Sequence, residues 1–181
     1  MSIIQKIYLN IYSFLKILLK SYYKFFLKVF VYEIILKKKI KVKKLNFFII
    51  KKNNPNNYLL NSYFKNCNYK IKRFKNSIFI GIKKKNLILC SGWVAYKNTN
   101  NWLIEEVDTV KNFKNSLILY DFFTHKNFRN KGLYFNLLKY ILNMYLKKKI
   151  IIYTLEKNLN SIKVINKLKF NKILVLKKKL Y

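Results

Sequence analysis

The residues best suited to chemistry in this chain are Arg129-Asn130-Lys131-Gly132-Leu133-Tyr134 and the carboxylates just upstream of them. A basic, glycine-containing turn that opens a helix leaves several backbone N–H groups without partners. The partial positive charge of the helix end adds to them, so a phosphate can dock there. Scarcity gives this turn its weight. The chain has three glycines (Gly81, Gly92 and Gly132), and only two of its 39 Lys+Arg residues are arginines (Arg73 and Arg129). One of each falls in these six residues. Carboxylates are equally rare: of six in all, Glu105, Glu106, Asp108 and Asp121 lie together between positions 105 and 121. In so lysine-rich a background, that cluster marks a stretch retained for a role. His125, the only histidine, is of the type that titrates nearest neutrality, but its place at the entry to the turn points to loop packing or solvent exposure.

The formal net charge of +33 over 181 residues points at first to nucleic acid or to an anionic membrane surface. The composition offers a plainer origin. Lys, Asn, Ile, Phe and Tyr are over-used while Gly, Pro, Ala and Arg are nearly absent, the pattern expected when coding DNA is rich in A and T. Lysine is then the default surface residue. Arginine, whose planar fork is favoured for phosphate and base contacts, is almost missing, so nucleic acid is the weaker expectation as a partner. A hydrophobic content of 52% argues for a folded chain with a real core. Cys67 and Cys90 form neither a disulfide framework nor a metal-ligand set, so a reducing compartment and no metal are expected.

The elements that must position these residues fall into two stretches. Residues 1–44 read as a basic amphipathic N-terminal extension and 45–181 as the domain proper. Lys16, Lys20, Lys24 and Lys28 recur every fourth residue among Phe14, Leu15, Leu18, Leu19, Phe25 and Phe26, which on a helix makes one basic stripe beside an apolar face. No uncharged run approaches the roughly 20 residues needed to span a bilayer, and there is no small-residue cleavage site of a secretory signal. The expected location is the cytoplasm, with peripheral contact to an anionic membrane through residues 1–30 if that face meets lipid.

From residue 29 the pattern becomes β-branched and aromatic, predicting strands at 29–36 and 45–50, a turn around Pro55 and a short helix at 58–64. Apolar runs at 77–82, 86–96, 102–107 and 117–124 predict a four-strand antiparallel meander, with Gly92 marking a bulge or a close approach of another backbone. Tyr134, Leu137, Leu138, Ile141 and Tyr145 follow helical spacing. A strand at 149–155, a helix at 158–168 and a strand at 170–176 close the chain. The expected class is α/β (α+β), with a mixed, mostly antiparallel central sheet and helices on both faces.

Taken together, these residues resemble the GNAT-type N-acyltransferases, which use acetyl-CoA or another acyl-CoA. The family's pyrophosphate motif, Arg/Gln-x-x-Gly-x-Gly/Ala after a strand, is matched by Arg129-Asn130-Lys131-Gly132-Leu133-Tyr134. A second signature, an Asn-x-x-Ser/Ala helix ending in Lys-Leu-Gly-Phe, is matched by Asn158-Leu159-Asn160-Ser161 and Lys167-Leu168-Lys169-Phe170. The resemblance covers about residues 75–176. Tyr134 stands at the family's small residue, Lys169 at its glycine, and Ile165 at the position where many members carry a thiolate-protonating tyrosine.

The resemblance implies that the backbone of Asn130, Lys131, Gly132, Leu133 and Tyr134 holds the pyrophosphate, with Arg129 and Lys131 adding charge. It also implies that the pantetheine arm lies along Phe122, Phe123 and Thr124, with Asn158 and Ser161 completing the cofactor contacts. An amine would attack the thioester directly, its proton passing to a carboxylate or to a water held by one. Glu106 is preferred over Glu105 for that role, with Asp108 and Asp121 also candidates, and alternation on a strand would send Glu105 and Glu106 to opposite faces. Tyr153, on the strand beside the thioester, is the candidate donor to the departing thiolate. The acceptor is expected to be a primary amine, an amino sugar or other small amine. The other expectation is the same fold used without catalysis, as a basic module that binds RNA or an anionic membrane.

Overall fold

Along β3 (Ser77–Lys84), Ile78, Ile80 and Ile82 face one side and Phe79 the other; along β8 (Lys149–Leu155), Ile150 and Ile152 oppose Ile151. A sheet apolar on both faces must be covered on both. In the computed structural model, which describes residues 27–51 and 72–178, each face has its own core cluster. The stretches expected to form the basic helix before residue 27, the turn at Pro55 and the helix at 58–64 lie outside the described residues, as does Cys67.

The central sheet has seven strands in the order β2 (Phe47–Ile50), β3, β4 (Leu87–Ala95), β7 (Ser116–Thr124), β8, β1 (Lys28–Ile35) and β9 (Asn171–Lys177). Every neighbouring pair is antiparallel except β7 with β8. Two adjacent parallel strands require a crossover between them, and α1 (Leu133–Met144) supplies it. Leu137, Leu138, Ile141 and Leu142 of α1 bury against one face, where Ile165 of α2 (Leu159–Lys167) joins the same cluster. Among the described residues both helices therefore cover one face.

The other face is covered differently, and this corrects the expected meander. After β4 the chain leaves the sheet for a separate hairpin, β5 (Trp102–Ile104) with β6 (Thr109–Lys111), and returns as β7, which pairs directly with β4. The departure is driven by burial: Ile104, Val107 and Phe113 insert into the core beside Trp93 and Phe79. Phe113 N–H then closes the excursion by donating to the Thr99 carbonyl at 2.8 Å. The stretch read from sequence as an extension, 1–44, contains β1, an interior strand held between β8 and β9 with Val29 and Val31 fully buried. No helix among the described residues is long and apolar enough to cross a membrane.

The end of α2 explains the lysine at the position where the resemblance leads one to expect glycine. Lys169 N–H donates to the Asn166 carbonyl and Phe170 N–H to the Ile165 carbonyl, the paired bonds of a Schellman motif, with Phe170 and Ile165 both buried. This forces Lys169 to φ 60°, in the left-handed region. Lys169→Gly is therefore expected to raise stability by about 0.5–1 kcal/mol in urea denaturation, since glycine adopts that conformation without a Cβ clash.

Candidate active site

The site begins where two strands part. β7 and β8 pair in parallel from Ser116–Lys149 to Leu119–Ile152, and there the pairing ends, although β7 runs on to Thr124 and β8 to Leu155. The cause lies on the other side of β7. Trp93 pairs with Tyr120 but Ser91 pairs with Phe123, so Asp121 and Phe122 together oppose Gly92 alone. An extra residue bends the bulged strand, and Asp121 takes a left-handed φ of 49° to make the turn. Gly92 is required here: a Cβ on it would stand 2.4 Å from the Phe122 ring.

Past the bulge, the backbone is led into the glycine turn by local bonds. His125 N–H donates to the Leu89 carbonyl at 2.9 Å and its Nδ1 accepts from Asn127 N–H at 3.3 Å, while its ring stands edge-on to Phe128. His125 thus packs and caps the loop, as its position in the sequence implies. The Arg129 side chain folds back and Nε–H donates to the Thr124 carbonyl at 3.3 Å. Asn130 at φ 61° and Gly132 at φ 69° then turn the chain into α1, whose N-cap is Gly132. Among the described residues no acceptor takes up the backbone N–H groups of Asn130, Lys131, Gly132, Leu133 or Tyr134. The space above Gly132 is open, the nearest atom to a Cβ built there being Asn136 Nδ2 at 3.8 Å.

Tyr134 does not obstruct this turn. Its ring turns into the protein, 5.1 Å from that of Phe122, and its hydroxyl hydrogen-bonds to the Ser161 side chain. Burial pushes its pKa well above the phenol range. Asn158 caps α2, its Oδ1 accepting from Ser161 N–H at 3.2 Å. The two stretches that carry the resemblance are thus joined in space by Tyr134 and Ser161. Cys90, on β4 near Tyr134, shares a bond of 3.3 Å with Thr124, and burial raises its thiol to about 11, so it stays a thiol rather than a nucleophilic thiolate.

Directly beyond the last β7–β8 pair, Tyr120 and Tyr153 line a cavity of about 470 Å³. Glu105, Glu106, Asp121 and Arg73 also line it. The expectation that Glu105 and Glu106 alternate on a strand is corrected here. β5 is only three residues long, and both glutamates lie in the turn that joins it to β6. The turn is closed by Val107 N–H donating to the Ile104 carbonyl at 3.2 Å and anchored by buried Val107. A turn lifts strand alternation, so both glutamates reach the same cavity. Asp108 ends that turn at φ 50° and is not among the residues lining the cavity.

The cavity groups differ in state. Arg73 makes an ion pair with Asp121 and lies 5.2 Å from the Tyr120 ring. Glu106 keeps contact with water, yet the protein around its carboxyl thins its hydration and raises its pKa. Its own backbone lowers it, the charges of Glu105 and Asp121 raise it further, and Arg73 offsets part of the rise. Tyr153 receives a hydrogen bond from Trp102 Nε1 at 3.4 Å; burial drives its pKa far upward, so it remains protonated and able to donate. Tyr120 is bonded to Ser77 at 2.9 Å and is also shifted up, chiefly by burial. Arg73, Trp102 and Tyr120 receive no role from the sequence. The rarity of arginine is the one signal that singles out Arg73.

No protein-family model matches the sequence, and no curated protein does. Solved structures share its fold. They include a GNAT-family protein from Novosphingobium aromaticivorans (10% identity, TM-score 0.57, 85% of this chain and 66% of that one). A GCN5-related N-acetyltransferase from Sphaerobacter thermophilus matches at 6% identity and TM-score 0.53, over 83% of this chain and 50% of that one. A functionally unknown conserved protein from Staphylococcus epidermidis matches at 11% and 0.57, over 85% and 62%. The chain spans about half to two thirds of the length of these proteins. Its fold is of the GNAT type, with a mixed, mostly antiparallel sheet.

Proposed function

We propose that this chain, with its GNAT-type fold, transfers an acetyl or other acyl group from acyl-CoA to a primary amine by direct attack. One observation carries the reading. β7 and β8 part after Leu119 and Ile152, so that the opening lies between a glycine turn with uncommitted N–H groups and a cavity holding Glu105 and Glu106. An acyl-CoA has a shape that suits this arrangement: the pyrophosphate against Asn130 to Tyr134, with Arg129 and Lys131 beside it, and the pantetheine arm along Phe122, Phe123 and Thr124. The thioester then reaches the cavity end of the gap.

In that cavity an ammonium acceptor would be drawn by the carboxylates and must lose a proton before it attacks. Glu106, with its raised pKa, accepts that proton directly or through one water. The amine nitrogen forms a bond to the thioester carbon, and the carbon–sulfur bond breaks with its electron pair on sulfur. Tyr153, kept protonated, donates to the thiolate and is restored by the proton that the nitrogen sheds as the amide forms. Asn158 and Ser161 act one step removed, by capping α2 and by holding the Tyr134 hydroxyl. The acceptor in this reading is an amino sugar or other small amine.

Calorimetric titration of the full chain with CoA tests the reading. Binding in the micromolar range is expected, and no heat of binding at millimolar CoA would reject it.

A further inference from the structure

The connection from β1 to β2, residues 36–46, is a surface crossing that the fold fixes with unusual care. Ile40 N–H donates to Asn143 Oδ1 at 2.9 Å, and Asn143 Nδ2 returns a bond of 2.8 Å to the Ile40 carbonyl. Further along, Lys43 N–H donates to Asn136 Oδ1 at 3.2 Å. Asn136 and Asn143 stand two turns apart on α1, so the segment is strapped lengthwise along that helix. Leu36, Ile40 and Leu45 pack inward, while Lys37, Lys38, Lys39, Lys41, Lys43 and Lys44 are exposed.

The direction of the strap decides which lysines matter. Lys37 to Lys39 adjoin the far end of α1, where Lys147 N–H meets the Leu36 carbonyl. Lys43 and Lys44 arrive at its N-terminal turn. There Asn136, while accepting from Lys43, donates through Nδ2 to the carbonyl of Gly132 at 2.9 Å. A single amide side chain therefore ties the backbone of Lys43 to the glycine turn. The six Asp and Glu side chains are placed elsewhere: Glu33 pairs with Lys149, Glu156 with Lys28 and Asp121 with Arg73, Glu105 and Glu106 line the cavity, and Asp108 ends the β5–β6 turn. No ion pair among the described residues reaches Lys43 or Lys44.

We propose that Lys43 and Lys44 form a second anion subsite beside the turn, and that it takes the 3′-phosphate of CoA. This rests on the cofactor reading above. A phosphomonoester carries close to two negative charges at neutral pH, and it lies one ribose from the pyrophosphate that the turn would hold. Two cations on a backbone tethered beside the turn contribute more than two on a free loop, because less motion is lost on binding. The strap thus makes the protein selective for CoA over its 3′-dephospho form, through residues that no motif of the turn contains.

Calorimetry at low salt with CoA and with 3′-dephospho-CoA tests this. The wild-type chain is expected to bind CoA about fivefold more tightly, a gain scaled to exposed charge pairs. Lys43→Ala/Lys44→Ala should abolish the difference and leave dephospho-CoA affinity unchanged, whereas Lys37→Ala/Lys38→Ala, with the same loss of charge, should retain it. Equal wild-type affinities for the two ligands would overturn the subsite while leaving the cofactor reading intact. So would a double variant that keeps the preference, or one that weakens both ligands alike. Absence of binding by either ligand would remove the cofactor reading and the subsite together.

Discussion

Glu106→Gln is expected to lower kcat by roughly 10²–10⁴ while leaving the affinity for CoA within about twofold. Glutamine keeps the size and hydrogen bonding of the side chain but cannot accept the proton of the attacking ammonium. The pH profile gives a sharper reading than the rate alone. A general base works when deprotonated, so wild-type activity rises with pH as Glu106 ionises, and its raised pKa places that rise above the ordinary carboxylate range. The Gln variant should lack this limb and retain only that of the acceptor amine. Tyr153 adds no falling limb near neutrality, because burial keeps it protonated. Folding raises the pKa of Glu106, so its contribution to stability is present below its unfolded pKa and is lost as pH rises through the folded one. At neutral pH the variant should therefore melt no lower than the wild type. Unchanged kcat with an unchanged pH profile would exclude Glu106 as the base, and Glu105→Gln, which faces the same cavity, is the comparison that would reassign it.

Gly132→Asp should weaken CoA binding by roughly a hundredfold without unfolding the protein. Two effects on the fold nearly offset each other. A side chain at φ 69° costs about 1 kcal/mol, whereas a carboxylate at the first turn of α1 suits its dipole by about 0.3–1 kcal/mol. The ligand has no such compensation. A carboxylate about 5 Å from the pyrophosphate, at an effective dielectric of about 20, opposes it by about 3 kcal/mol. Gly132→Asn separates charge from shape, since asparagine tolerates the left-handed backbone, and it should retain most of the affinity. Equal CoA affinity in the Asp variant would remove the turn from the phosphate site.

How much of this was legible in the residues depends on the range over which each feature is determined. The turn at Arg129–Tyr134 is local, and the scarcity of glycine and arginine exposed it. The helix at 133–144 follows from apolar spacing and the strand at 149–155 from its β-branched run, and both match to within a residue or two. Glu105 and Glu106 read as strand residues, yet they lie in a turn. Where β5 ends is decided by Val107 burying into a core shared with Phe79 and Trp93, and strand periodicity carries no trace of that contact. Arg73 and Asp121 meet across separate elements, so their pairing has no sequence signature. The direction of Tyr134 depended on Phe122 and Ser161, residues remote in the chain. The bulge that parts β7 from β8 was hinted at by Gly92, although its second half, a left-handed Asp121, bears no mark in composition.

The place of β1 has a consequence for how the chain is assembled. Val29 pairs with both Leu155 and Leu176, so a strand made before β2 to β7 has its partners in β8 and β9, made after them. On the ribosome it must wait with both edges open until β8 and then β9 emerge, while β3, β4 and β7 already have neighbours near in sequence. Closure of that half of the sheet therefore carries the largest loop entropy among the described strand pairs and should be the slow folding step. A chain truncated before β9 would release a protein whose first strand is a sticky, half-covered ribbon, the kind of edge through which newly made chains aggregate.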